Sequence, residues 1–194
     1  YLAYPTKEQE VLLAKHFGCS RWVYNYALDK KIKTYQTTKE SLSRFTIQKD
    51  LPELKKAEET KWLKEVNSQS LQASLENLDK AFTRFFKQKK GFPKFKSKHI
   101  GTHHVGFPQN TKVDFEAGKV SLPKLGWVKT KISMEFYGNI KTSTIEKTPT
   151  NKFFISITVE LPDVEVKQKP ISKKNAVGID TGIKTFATLS DGTE

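Results

Sequence analysis

The spacing of apolar residues predicts that the chain opens with a helix. Thr6-Lys7-Glu8-Gln9 has the pattern of a capping box, in which a threonine hydroxyl and a glutamine side chain satisfy the free N–H groups of a helix start. Apolar residues at helical spacing run up to Gly18 and resume beyond it toward Tyr35. They are Val11, Leu12, Ala14 and Phe17, then Trp22, Val23, Tyr26 and Ala27. We therefore expect two helices joined by a turn at Gly18, an arrangement like a helix-turn-helix.

A longer amphipathic helix is expected from about Ser68 to Lys87. Its stripe, at three- and four-residue steps, consists of Leu71, Leu75, Leu78, Phe82 and Phe85. Gly91 and Pro93 should end it. Between the two helical regions, the stretch from Ser43 to Lys56 is only moderately helical, because Pro52 either opens a short helix or interrupts one.

From about Val105 the pattern changes to strands. Gly118, Gly126 and Gly138 separate short runs such as 119–122 and 127–130. The clearest strand is 153–159, where β-branched and aromatic residues alternate between two faces.

Composition adds a domain boundary near the end of the chain. Residues 167–175 contain four lysines and a proline, which is typical of a linker or exposed loop. After them, 176–189 is predicted to form a strand, a glycine turn and a strand, the beginning of a new domain. The chain starts without methionine and stops just after this turn, so we expect it to be a fragment.

Charge points to a polyanionic partner. The 194 residues include 34 Lys and Arg against 21 Asp and Glu, a formal net charge of +13, which favours nucleic acid. No apolar run approaches the roughly 18 residues that span a bilayer, so we expect a cytoplasmic protein with no membrane partner. A single cysteine, Cys19, excludes a disulfide framework within these residues and is expected to be buried.

A basic tract without acids is the predicted nucleic-acid contact. Between 80 and 100 its cations are Lys80, Arg84, Lys87, Lys89, Lys90, Lys94, Lys96 and Lys98. The interleaved rings are Phe82, Phe85, Phe86, Phe92 and Phe95. The cations can hold phosphates while rings stack on bases. Alternatively, Phe82 and Phe85 belong to the core and the lysines form a solvated face.

Two further groups are candidates for metal chemistry. His99, His103 and His104 lack accompanying cysteines or spaced acids, so they are expected to be loop histidines and not a metal site. Asp180 stands between an apolar strand and a glycine turn. A carboxylate there can ligate magnesium in a two-metal nuclease, but it is also ordinary turn chemistry.

Seven ordered blocks resemble the TnpB/OrfB family, transposon-encoded RNA-guided DNA endonucleases related to type V CRISPR effectors. The blocks are 4–9, 18–25, 62–72, 78–86, 91–96, 122–129 and 178–184. The most specific are Gly91-Phe92-Pro93-Lys94-Phe95-Lys96 and Leu122-Pro123-Lys124-Leu125-Gly126-Trp127-Val128-Lys129. The chain is similar to the amino-terminal half of such proteins.

The resemblance implies an α+β fold. Residues 1–5 and 101–166 would form a wedge β-barrel, 6–100 an inserted helical recognition bundle with a helix-turn-helix-like start, and 167–175 a linker. Residues 176–194 would be the first hairpin of a truncated RNase H/RuvC-like nuclease domain. Guide RNA and double-stranded target DNA would be the partners, the DNA being recognised beside a short adjacent motif.

The same resemblance assigns residues. Asp180 matches the first catalytic carboxylate, a magnesium ligand. Gln72, with Ser68 one turn earlier, would face the adjacent motif, and Lys124 and Lys129 would join the tract in binding nucleic acid. The other acids and a zinc finger belong to the carboxy-terminal half of the family, so we expect the magnesium site to be incomplete here and zinc to be absent.

Three functional classes follow. The first is part of an insertion-sequence RNA-guided endonuclease. The second is a non-catalytic binder, either RNA-guided or simply RNA-binding. The third is a helix-turn-helix DNA-binding domain of a transposase, which is ranked last because Trp22, Val23 and Tyr26 look like core residues and leave few side chains to read bases.

Overall fold

The fold is that of a computed structural model, which describes residues 1–99, 101–162, 176–183 and 185–190. The chain divides into two compact units, Tyr1–Leu161 and Pro162–Glu194. The predicted linker, 167–175, lies outside the described residues. Among the described helices, none is both long enough and apolar enough to cross a membrane.

Unit 1 begins with one short strand, continues with its helices and ends with its other strands. The helices are α1 (Lys7–Thr38), α2 (Arg44–Gln48), α3 (Leu51–Lys56), a 3₁₀ helix (Lys61–Glu65) and α4 (Ser68–Gln88). The strands of unit 1 are β1 (Leu2–Tyr4), β2 (His103–Phe107), β3 (Lys112–Asp114), β4 (Lys119–Leu122), β5 (Gly126–Lys131), β6 (Asn139–Lys147) and β7 (Phe153–Glu160).

Helix α1 begins at the predicted capping box, but the expected turn at Gly18 is wrong. Both reciprocal hydrogen bonds between Thr6 and Gln9 are present, and the helix then continues for 32 residues. Buried residues lie along one side of the helix both before and after the glycine. A turn at Gly18 would remove part of this side from the segments on which it packs. A glycine inside a helix costs about 1 kcal/mol relative to alanine, which this packing outweighs.

The prediction for α4 is confirmed to within a residue. Leu71, Leu75 and Leu78 are buried against α1. The helix ends at Gln88 because Lys89 adopts the left-handed conformation, two residues before Gly91. Pro52 occupies the first turn of α3, so it opens a short helix and does not interrupt one.

The strands form one antiparallel, curled sheet, an open half-barrel with order β2-β6-β7-β1-β5-β4-β3. Strand β1 pairs with β5 on one side and with β7 on the other, so the first residues join two β-hairpin systems distant in sequence. This confirms a mixed α+β fold. Among the described residues this sheet is open, with β2 and β3 at its two edges, and the wedge assignment stays a prediction.

Two hydrophobic cores meet along α1. Leu13 and Phe17 pack with the inner face of the sheet, including Val105 and Ile155. Further along the helix, Val23 and Leu28 pack with α4, α2 and the 3₁₀ helix in a second core. One helix thereby supports both the sheet and the helical bundle.

Unit 2 contains a short antiparallel pair, β8 (Ile179–Asp180) and β9 (Thr188–Leu189). Asp180 lies opposite Thr188. Two strands are present within the predicted strand, turn and strand, while their membership of a nuclease domain stays a prediction.

Candidate nucleic-acid interface

The basic tract follows the last turns of α4 and an extended segment after it. Lys80 is paired within the chain, since its Nζ lies 2.9 Å from Glu76. Other tract cations are exposed and form no ion pair among the described residues: Arg84, Lys87, Lys89, Lys90, Lys94 and Lys98. Uncompensated like charges repel one another, and phosphates would relieve that repulsion.

Lys96 differs from its neighbours because α1 holds it. The Asn25 amide donates to the Lys96 carbonyl at 2.9 Å and accepts from the Lys96 N–H at 2.8 Å. The ammonium lies over the Tyr24 ring, 4.3 Å from its centre. Burial, and secondarily the charge of Arg21, lower the Lys96 pKa. Lys96 therefore anchors the tract to the bundle in addition to contributing charge.

This anchoring forms a cationic cleft between α1, α4, the tract and β2. The cavity has a volume of about 440 Å³, and its charged or titratable lining is Arg21, Lys94, Lys96, His103 and His104. Partial burial, with Arg21, Lys147 and Lys98 nearby, lowers the pKa of His103. The cleft concentrates positive charge from segments more than 70 residues apart in sequence.

Arg21 is a cleft residue that the sequence reasoning missed. It makes no ion pair among the described residues. Its only sequence signal was membership of the 18–25 block, because spacing alone gives no sign that α1 faces the tract.

The phenylalanines of the tract separate into packed and open rings. Phe82 and Phe85 are half-buried and meet the Phe92 ring edge to face at 5.5 and 5.3 Å. Phe86 is 73% exposed and Phe95 is 56% exposed. The core interpretation therefore suits Phe82, which packs against the helical core, while Phe85 packs on the rings of Phe86 and Phe92. Phe86 and Phe95 present rings on which bases can stack.

A second surface lies at the start of α4. Ser68 and Gln72 are exposed one turn apart, and Lys55 donates to the Ser68 hydroxyl at 2.5 Å. Burial and the charge of Lys124 lower the Lys55 pKa, so the tip of the β4–β5 hairpin approaches the same surface. Lys55 had no sequence signal. The structure thus gathers two predicted polar residues and two lysines, which we call the α4-start surface.

Gln9 holds that hairpin against α1. Besides its capping role, its side-chain amide donates to the carbonyls of Leu125 at 3.1 Å and Trp127 at 3.0 Å. Lys124 occupies the tight turn with a φ of 68°. The hairpin tip is consequently fixed relative to the helical bundle.

The outer face of β5 adds a basic and aromatic strip. Trp127, Lys129 and Lys131 are all exposed on this face. Lys129 lies directly opposite Lys119 of β4, and like charges in that position destabilise a sheet. Lys119 and Lys131 were not predicted, although alternation along the strand would have placed Lys131 beside Lys129.

Of the histidines, the buried one has the clearest role. His16 is 1% exposed, its Nδ1 contacts the Leu12 carbonyl at 2.8 Å, and its Nε2 accepts from the Asn67 N–H at 3.2 Å. Burial is the main cause of its lowered pKa. It links α1 to the N-cap of α4. Among the described residues, no group of three or more His, Cys, Asp or Glu side chains is placed to hold a metal ion.

Asp180 is exposed at the end of β8. In the described part of unit 2 it is the only carboxylate. Two-metal catalysis needs several carboxylates around both ions, so the described residues do not fit a complete magnesium site. The role of Asp180 stays a prediction.

Comparison with known proteins gives one family-model match and three relatives. Residues 1–40 match the family model HTH_OrfB_IS605, described as a helix-turn-helix domain. In this chain, those residues hold β1 and the continuous α1. The pair of helices around Gly18 that would have allowed the third functional class is therefore not present.

Three relatives extend the match beyond α1. The chain is 35% identical over 189 residues to a protein of Escherichia coli (strain K12) named "Putative RNA-guided DNA endonuclease InsQ", covering 97% of this chain and 46% of that protein. It is 30% identical over 195 residues to a Streptomyces pristinaespiralis protein named "Putative RNA-guided DNA endonuclease", covering 99% of this chain and 47% of the relative. Virulence protein VsdF of Salmonella dublin is 41% identical over 108 residues, which cover 50% of this chain and 88% of VsdF.

The chain spans about half the length of the first two relatives. Both alignments run through the sheet, the helical bundle and the tract, since they cover nearly all of this chain. Together with the IS605 OrfB match at its start, they show that the chain belongs to the TnpB/OrfB family of insertion-sequence proteins.

Proposed function

We propose that this chain is the nucleic-acid-binding part of an insertion-sequence RNA-guided DNA endonuclease. It binds a guide RNA and a double-stranded target DNA. The cationic cleft is the observation that carries the proposal, because it brings Arg21, Lys96 and His103 together without an acidic partner for Arg21. The names of the two long relatives support RNA guidance and DNA as the target.

The α4-start surface is proposed to recognise the short DNA motif beside the target. Ser68 and Gln72 offer a hydroxyl and an amide, which can donate to and accept from base edges. Lys55 and Lys124 can fix the DNA through its phosphates. Gln72→Ala should then alter sequence preference, whereas Lys124→Ala should weaken binding to all sequences and lower its salt dependence.

Asp180 is proposed as the first metal-binding carboxylate of the nuclease, with magnesium as the metal. A bound magnesium supplies charge stabilisation and an activated water in phosphodiester cleavage. One carboxylate does not hold two ions, so we expect the 194-residue chain to bind nucleic acid without cutting it. Magnesium-dependent cleavage by this chain that Asp180→Ala abolishes would contradict the expectation.

The experiment that tests the proposal is to purify the chain from a host carrying its native locus and to sequence the co-purifying RNA. A discrete RNA with a variable, guide-like end supports RNA guidance. A mixture of ribosomal and transfer RNA would instead support the general RNA-binding alternative. The variant Arg21→Ala, whose side chain lines the cleft, should lose the discrete RNA while retaining its fold.

A further inference from the structure

A second cavity lies beside the cationic cleft, between α1 and the 3₁₀ helix. Its volume is about 450 Å³, and we call it the tryptophan pocket after Trp22 and Trp62, which line it. Gly18 and Arg21 also line it, and the ion pair of Lys15 with Glu65 closes one side. Arg21 lines the cationic cleft as well, so the two cavities adjoin at its side chain.

The aromatic walls of this pocket are fixed in place. Trp22 and Trp62 meet edge to face with ring centres 5.5 Å apart. The Trp62 indole donates to the Glu59 carbonyl at 2.9 Å, and Trp22 stacks on Tyr26 at 5.3 Å. Both rings are half-buried and retain accessible surface. A planar ring entering here would meet preorganised aromatic surface and lose little to rearrangement.

Gly18 leaves the space beside these rings open. A Cβ added to it would meet no heavy atom within 4 Å, and its backbone is helical, so neither close packing nor a left-handed conformation requires glycine. Glycine in a helix interior is nevertheless destabilising by about 1 kcal/mol relative to alanine. What its missing side chain provides is room in the pocket, since Gly18 forms part of the lining.

The lining chemistry indicates what fills that room. Accessible aromatic ring surface suits a planar base, and the Arg21 guanidinium, which forms no ion pair among the described residues, suits a phosphate. Lys94 and Lys96 line the adjoining cleft and extend the positive charge along it. The pocket thus complements a single extruded nucleotide whose backbone continues into the cleft.

We propose that the tryptophan pocket takes one unpaired nucleotide of the bound RNA. Its base enters over Gly18 against Trp22 and Trp62, and its phosphate pairs with Arg21. This inference rests on the proposed function, since it assumes that RNA occupies the cationic cleft. It adds a site on α1 at which the RNA must be single-stranded.

The test compares Gly18→Leu with Gly18→Ala. Leucine favours a helix and fills the pocket, whereas alanine favours a helix and adds one methyl group. Both variants should melt at or above the temperature of the unmodified chain. Affinity for a labelled single-stranded RNA of about ten nucleotides should fall about tenfold or more with leucine and change less than about threefold with alanine, because base–aromatic stacking is lost only in the first.

A crosslinking experiment on the unmodified chain provides an independent measurement. RNA carrying 4-thiouridine should crosslink to Trp22 or Trp62 on irradiation, as mapped by mass spectrometry. Gly18→Leu should lose this crosslink, and the crosslink decides the matter if that variant does not fold. An effect of leucine on the same oligonucleotide made as DNA, with none on the RNA, would overturn the assignment to RNA.

The outcomes separate the two proposals. If the unmodified chain binds no RNA, the proposed function and this inference both fail. If it binds RNA but shows no crosslink at either tryptophan, and Gly18→Leu binds with unchanged affinity, the proposed function stands and the tryptophan pocket inference is overturned.

Discussion

The side-chain amide of Asn25 makes both hydrogen bonds to the peptide group of Lys96, at 2.9 and 2.8 Å, across 71 residues of sequence. This pairing fixes an otherwise extended basic segment against α1. Without it, the cleft cations would be carried on a loop held only by side-chain contacts. The geometry of the proposed RNA surface therefore depends on a polar residue that itself carries no charge.

Removing this clamp should affect both stability and binding. Asn25→Ala leaves a partly buried donor and acceptor without partners, which costs about 1–3 kcal/mol in the free energy of unfolding. Urea denaturation measures this loss, and filter binding should show weaker RNA affinity. Thr83→Ala, which removes one exposed hydrogen bond to the Asp79 carbonyl, is the matched control and should change neither quantity much. Equal behaviour of the two variants would contradict the role of the clamp.

Stability should decrease as pH falls because of His16. Burial lowers the pKa of this histidine below its ordinary value of 6.5, so the unfolded chain binds the proton more readily. The contribution is complete above about pH 6.5 and is lost progressively below it, down to the folded-state pKa. Urea midpoints measured from pH 7.5 to 5 should fall.

His16→Gln identifies the share that belongs to this residue. Glutamine can still accept from the Asn67 N–H but does not titrate, so its urea midpoints should depend less on pH than those of the unmodified chain. His103→Gln is the comparison variant for the pH dependence of the urea midpoints, because the pKa of His103 is also lowered. An unchanged pH profile in His16→Gln would show that another group is responsible.

Neutralising Lys129 should weaken nucleic-acid binding without destabilising the fold. Lys129→Gln relieves repulsion from Lys119, so the folded state should be as stable as before or slightly more so at low salt. Nucleic-acid affinity should fall, and the slope of log K against log salt should become shallower by about 0.7–0.9 if one phosphate contact is lost.

Lys141→Gln is the control for this charge. Lys141 is an exposed strand lysine of the same sheet, but it already pairs with Glu160 at 2.6 Å. Its loss should leave the salt slope nearly unchanged. A similar slope change in both variants would mean that net charge alone, and not the strip on β5, sets the binding.

Cys19 should react only slowly with alkylating reagents in the folded chain. It is 3% exposed, and burial raises its pKa to about 11, so almost no thiolate forms near neutral pH. Iodoacetamide at pH 7.5 should label it slowly in buffer and readily in urea, as followed by mass spectrometry. Rapid labelling without urea would show that α1 opens locally around Gly18.

Local sequence patterns were sufficient to predict the elements whose structure depends on residues close together in the chain. The stripe of α4, the capping box at Thr6 and the alternation in 153–159 depend on spacings of a few residues, and the structure has all three. The basic tract and the net charge are also properties of the sequence alone, and they indicate nucleic acid as the partner. Family membership followed from short ordered blocks.

The sequence by itself thus predicted most of the elements and their polarity, and its charge indicated nucleic acid as the partner. Tertiary structure decided that α1 continues through Gly18, that Arg21 joins the tract, and that His16 meets Asn67 across 51 residues. The physical reason is that helical and strand periodicities are local, whereas burial and charge neighbours depend on which distant segments pack together. Gly18 shows the difference: its local preference favours a turn, and two cores packed along one helix override it.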